Sequence, residues 1–222
     1  MLNLFFPKVC LSCNHYLDDN ELYVCTSCRH NLPVTNFHFS EYNEVKKVMY
    51  GRVPLQQATA LLWFRKKGTV QQLLHNLKYK GQEDVGVFLG KWLGEELSTI
   101  DAYKTIDVVV PVPLHASRLR KRGYNQVHKF GKEIANALKV EFNTTTLQKT
   151  KATKTQVFKD RLKRWTNDDA IFSIADYETL KGKHILLVDD IITTGATIET
   201  CANALLKIEG VTISLATMAI AE

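Results

Sequence analysis

A chain of 222 residues with 45% hydrophobic content is long enough to bury one full α/β core and leave room for a small appendage. No run of about 18 apolar residues occurs, which excludes a membrane-spanning helix and predicts no membrane insertion. The net charge of +6 is uneven, with 14 Lys/Arg against 3 Asp/Glu between His115 and Trp165, a local net of +11 that suggests a polyanionic ligand, pyrophosphate or nucleic acid, over a merely solvated basic face.

The amino-terminal stretch has no basic n-region, and its apolar run is too short for a signal peptide, so the expected location is cytoplasmic. Four of the five cysteines follow within 28 residues, as Cys10-x2-Cys13-x11-Cys25-x2-Cys28. Two such knuckles suit tetrahedral zinc, because each short turn presents two thiolates to one side of an ion. Disulfides are the alternative, and a reducing cytoplasm disfavours them. A closed four-thiolate site has no open position for catalysis, so the zinc is structural and orders a segment too small to bury a core. His15 and His30 read as surface residues. The resulting organisation is a four-cysteine module over 1–38, a charged linker over 39–57 and an α/β domain over 58–222.

In that domain a strand is predicted over 58–64, followed by amphipathic helices over 70–79 and 85–97 that are separated by Lys80-Gly81. A buried strand over 106–112 stops at Pro111-Val112-Pro113, a basic loop occupies 114–125, and a helix spans 126–138. Residues 149–160 are polar and basic without a clear period, a segment suited to closing over a site; a short helix is expected near 161–165. The apolar run 185–188 reads as a buried strand, 198–208 as a helix with Cys201 in simple packing, and 211–220 as a last strand. Strands alternating with helices predict a parallel sheet covered on both faces.

The most specific stretch is His184-Ile-Leu-Leu-Val-Asp-Asp-Ile-Ile-Thr-Thr-Gly-Ala-Thr197. A loop of Thr, Gly and Ala at a helix N-terminus lets backbone N–H groups and hydroxyls close on a phosphate, with the helix dipole favouring the anion. Gly195 is expected to remove a Cβ that would hold a ligand off the backbone. Asp189 and Asp190 can accept hydrogen bonds from vicinal ribose hydroxyls. No Gly-Lys-Ser/Thr follows the glycine, which excludes the Walker phosphate loop.

This stretch resembles the phosphoribosyl-pyrophosphate (PRPP) motif of type I phosphoribosyltransferases. Three further segments extend the likeness: Asp107-Val-Val-Val-Pro-Val-Pro-Leu-His115 running on to Arg118-x3-Arg122-Gly-Tyr-Asn-Gln126, then Thr155-Gln156, then Arg164-x2-Asn167. With the cysteine knuckles, their order is similar to the ComF (ComFC-like) family, phosphoribosyltransferase-like proteins associated with competence for DNA uptake. The resemblance implies a type I phosphoribosyltransferase-like parallel sheet flanked by helices, with a zinc-ribbon-like module ahead of it. It implies that Thr193, Thr194, Gly195, Ala196 and Thr197 hold the 5-phosphate of PRPP, and that Asp189 and Asp190 hold the ribose hydroxyls. Arg118, Arg122, Lys151 and Lys154 are the pyrophosphate candidates, with Mg²⁺ bridging pyrophosphate and ribose oxygens. Where relatives carry Arg ahead of the Thr-Gln segment, this chain has Lys149, Lys151 and Lys154, which keep the charge without bidentate recognition.

The acceptor is not readable. Purine-salvage relatives carry an acid at the position of Thr193, and its absence argues against purine salvage. Three functions follow from the resemblance: a transferase of unread acceptor, orotate-type included; a PRPP-sensing regulator without turnover; and a competence factor. The last would contact single-stranded DNA and competence-machinery proteins such as a helicase, with Tyr124, Phe130, Phe158 and Trp165 available to stack on bases.

Overall fold

The computed structural model describes residues 8–150 and 171–222. The segment expected to close over the site, from residue 151 onward, and the short helix near 161–165 lie outside the described residues, as do Lys151, Lys154, Phe158 and Trp165.

In chain order the elements are α1 (Thr26–His30), α2 (Glu44–Met49), β1 (Leu55–Phe64), α3 (Thr69–Tyr79), α4 (Asp84–Ser98), β2 (Val108–Pro111), α5 (Ala116–Arg122), α6 (His128–Leu138), β3 (Glu141–Phe142), β4 (Leu147–Lys149), β5 (Phe172–Ile174), β6 (His184–Ile192), α7 (Ala196–Leu205) and β7 (Thr212–Ala221). Five strands form one parallel sheet in the order β1-β7-β6-β2-β3, and β4 and β5 form a separate antiparallel pair. The central strands are apolar on both faces, as a sheet covered on two sides requires. Among the described residues no helix is long and apolar enough to cross a membrane.

One face of the sheet is covered by α3, α4 and α6, where Leu73, Leu77, Leu89, Leu93, Phe130 and Ile134 form a continuous core. The close approach of α4 to α6 depends on a stripe of glycines. A Cβ on Gly90 would lie 2.6 Å from the Phe130 carbonyl oxygen, and one on Gly94 would lie 2.9 Å from the Ala137 Cβ. The amino-terminal segment joins this core rather than standing beside it: Cys10, Val24 and Leu32 are buried in it. The wholly buried Asn76 of α3 donates through Nδ2 to the Leu11 carbonyl at 2.9 Å, and Val34 bridges to Leu62 of β1.

The opposite face is covered by α2 and α7, with Val45, Met49, Ile198, Cys201 and Leu205 packed over Leu187 and Ile192. Residues 39–57, expected as a linker, therefore contain a helix that belongs to the core. Asn43 starts it: its Oδ1 accepts from the Lys46 N–H at 3.1 Å, and its Nδ2 donates to the Ala58 carbonyl at 2.9 Å. The basic stretch 114–125, expected as a loop, likewise holds α5. His115 Nδ1 accepts from the Ser117 N–H at 3.2 Å, and Gly123, at φ +86°, ends the helix in the left-handed conformation.

Candidate functional site

From β2 the chain moves outward to β3, and from β6 it moves the other way to β7, so the strand order reverses between β2 and β6. Open α/β sheets bind ligands in the crevice that this reversal opens at the carboxyl ends of the strands. Residues 189–197 and the basic stretch after Pro113 both come to that crevice.

Asp189 and Asp190 lie within β6, which continues to Ile192, and not beyond its end. Successive strand residues face opposite sides of a sheet, and the two carboxylates accordingly have different surroundings. Asp189 is within electrostatic reach of Cys201 on α7 and Lys149 on β4. Asp190 instead pairs with Lys78 of α3, Nζ to Oδ2 2.8 Å. Both acids are more than nine-tenths buried. Burial, and then the Asp190 charge, push the Asp189 carboxyl up to about 8, while the Asp190 N–H, donated to Asp189 Oδ1 at 2.8 Å, and Lys78 and Lys149 pull it down.

The loop after β6 leaves Thr193, Thr194, Ala196 and Thr197 exposed and Gly195 buried. Gly195 is the N-cap of α7, and no side chain caps the helix, so its first N–H groups are left unclaimed by a cap. Gly195 has φ +75°, the left-handed region. A Cβ there would meet Met49 Sδ at 2.7 Å and Val48 Cγ1 at 3.2 Å. The expectation that this glycine makes room for a ligand is thus corrected: the space beside it is filled by α2, and the residue is required by backbone conformation and packing. Arg52 adds a clasp, donating to the Thr194 carbonyl and lying 3.8 Å from Glu199.

Across the crevice, Arg118 and Arg122 lie on α5, with Arg118 exposed. Arg122 donates to Gln126 and rests 5.7 Å from the centroid of the Tyr79 ring. Lys149 stands 5.0 Å from the Phe172 ring centroid, and burial holds its ammonium below the usual range. Lys78 and Arg52 were not among the site residues read from the sequence.

Beside α3 the four sulfurs of Cys10, Cys13, Cys25 and Cys28 lie within 4.8 Å of one another, with Cys13 and Cys25 Sγ 3.7 Å apart. The N–H groups of Ser12 and Cys25 donate to Cys10 Sγ at 3.4 and 3.3 Å. Four converging sulfurs with N–H donors to a thiolate fit a structural zinc.

The Phosphoribosyl transferase domain model matches residues 91–221, more than half of the chain. The chain belongs to the phosphoribosyl transferase domain family. Among similar proteins, "DNA utilization protein YhgH" of Escherichia coli is 29% identical over 140 residues, 61% of this chain and 60% of that protein. "Competence protein F" of Haemophilus influenzae is 28% identical over 142 residues, 61% of each chain, which bears out the ComF resemblance. The match thus spans about three fifths of these curated relatives. An adenine phosphoribosyltransferase crystal structure covers 67% of this phosphoribosyl transferase domain protein and 75% of its own chain, at 20% identity and a TM-score of 0.40.

Proposed function

We propose that the crevice binds PRPP and that the protein is a phosphoribosyltransferase-like factor acting in DNA uptake. The observation that carries this reading is the meeting, at one switch point, of an uncapped helix N-terminus, two buried carboxylates and a cation-bearing helix. Each suits one part of the ligand. Thr193 to Thr197 take the 5-phosphate on the N–H groups of α7. Asp189 and Asp190 accept from the ribose hydroxyls. Arg118 and Arg122 face the pyrophosphate, with Lys151 and Lys154 as further candidates. The oxygen donors at the crevice suit Mg²⁺, which when bound with pyrophosphate neutralises charge on that group. The chain's own part is to hold the ribose and phosphate in place and to supply positive potential.

Calorimetry with PRPP, with and without Mg²⁺, tests this. Asp190→Asn keeps the shape and removes a charged acceptor, so PRPP binding weakens by about 1.5–3 kcal/mol. Ionised Asp189 is the better acceptor, so affinity rises as pH rises through about 8, and binding at neutral pH releases protons. The stability contribution runs the other way: with its folded value raised, this group stabilises the fold most at low pH and loses that contribution as pH rises through the same value. Unchanged affinity in Asp190→Asn and no proton release would place the ligand elsewhere.

Single-stranded DNA contact is a second reading, favoured by the exposed Arg118, Arg120 and Lys121 of α5 and by the DNA-utilisation and competence names of the relatives. Fluorescence anisotropy with a labelled single strand is expected to show binding that weakens steeply with salt. Arg120→Glu with Lys121→Glu reduces it, and Asp190→Asn spares it. No binding at low salt would sink this reading.

A further inference from the structure

The last turn of α3 reaches the crevice from outside the residues that the family model matches. Lys78 sits four residues after Leu74 and next to Leu77, at a core-facing helical position where an apolar side chain would ordinarily stand. Its ammonium instead lies 2.8 Å from Asp190, with the lysine side chain 22% exposed and the carboxylate 8%. A half-dry ion pair of this kind adds little stability over a well-packed apolar side chain, because both charges lose water. Its position suggests another use.

The residues on either side of Lys78 are fastened to the cation-bearing segment. The Tyr124 hydroxyl donates to the Leu77 carbonyl, and the Arg122 guanidinium rests over the Tyr79 ring. Lys78 therefore stands between the carboxylates, which suit a ribose, and Arg122, which suits a pyrophosphate. Moving its Nζ from Asp190 to a phosphate oxygen leaves no charge unpaired, provided that ribose hydroxyls take its place on the carboxylate.

We propose that Lys78 is a ligand-binding residue of this site, held on Asp190 until PRPP arrives and then passed to the pyrophosphate group. The proposal rests on the PRPP reading above, extends the site to α3, and predicts an exchange of partners on binding.

Calorimetry on the full chain with Mg²⁺ and three probes tests it: PRPP, inorganic pyrophosphate and ribose 5-phosphate. Lys78→Met should weaken PRPP and pyrophosphate about ten- to hundredfold, the effect of losing a charge-assisted hydrogen bond. Ribose 5-phosphate, which lacks the pyrophosphate and whose hydroxyls otherwise have to displace Lys78 from Asp190, should not be weakened, and Lys78→Arg should restore much of the loss. If the methionine variant does not fold, Lys78→Gln gives the same reading. Equal weakening of ribose 5-phosphate would reduce Lys78 to a neutraliser of Asp190 and overturn the proposal. So would unaltered PRPP binding by Lys78→Met, and in that case the PRPP reading stands. Wild-type protein that binds pyrophosphate through Lys78 but not PRPP would overturn the reading and leave Lys78 as a polyphosphate contact. Binding of neither would end both.

Discussion

Stripping zinc with a chelator, or replacing Cys13 with Ser, lowers the melting temperature of the whole chain instead of loosening its first thirty-odd residues alone. Structural zinc in a small site contributes an apparent binding energy of about 10–16 kcal/mol in zinc-finger peptides, nearly all of it expressed as folding. Here the ordered segment also covers the main core. Val24 and Leu32 are buried with Leu73, Leu77 and Phe88, and Asn76, wholly buried in α3, has its amide satisfied by the Leu11 carbonyl. Uncovering two apolar side chains at about 1.5–3 kcal/mol each, in a domain of this size, corresponds to a drop on the order of 10 °C. Scanning calorimetry with metal analysis checks it. A main transition that stays put while a separate amino-terminal one disappears would contradict the shared core, and metal-free protein prepared under reducing conditions would contradict the zinc.

Gly195→Val is expected to be worse than any single change at the carboxylates. A β-branched residue at φ +75° is strained, and its Cβ would come within 2.7 Å of Met49 Sδ. Together these should cost about 2–5 kcal/mol of stability, and PRPP binding should fall below detection because α2 and the loop after β6 can no longer sit together. Adding Met49→Ala separates the two causes, since it relieves the collision and leaves the backbone strain. Full rescue by Met49→Ala would show that the conformation matters little. Wild-type-like melting of Gly195→Val alone would mean that the loop is not held as described.

The sequence announced those parts of the molecule whose physics is local. Two cysteine knuckles, an apolar strand running into two acids, and a Thr-Gly loop each declare themselves within a single short stretch. The short helices do not. α2 carries Val45 and Met49 in six residues, too few to establish a period, and its start depends on an asparagine that bonds to β1. α5 has no buried residue, so nothing in its pattern distinguishes it from a loop. The β4–β5 pair rests on partners separated by the undescribed residues 151–170. At the site, the paired acids were legible as a pair. Their opposite surroundings follow from the two-residue period of a strand, a signal that was present and unused. Lys78 also left a trace, as a lysine on the apolar stripe of α3. The glycines at 86, 90 and 94 likewise marked a close helix contact in advance.

The order of the sheet has a bearing on how the protein is made. β1 is joined to the other strands through β7, which the ribosome reaches about 150 residues later. During synthesis β2 and β6 can pair as soon as both have emerged, while β1 has no strand neighbour. Its apolar residues, Ala60, Leu61 and Leu62 among them, can be shielded meanwhile only by nearby segments such as α2, α3 and the four-cysteine module. Pairings so distant along a chain form slowly, because the intervening segment must be closed into a loop before any contact rewards it. The nascent protein therefore carries an open β1 edge for most of its synthesis, while the other edge of that strand can be bonded early by residues 33–35, the Thr35 N–H donating to the Leu61 carbonyl and the Trp63 N–H to the Pro33 carbonyl.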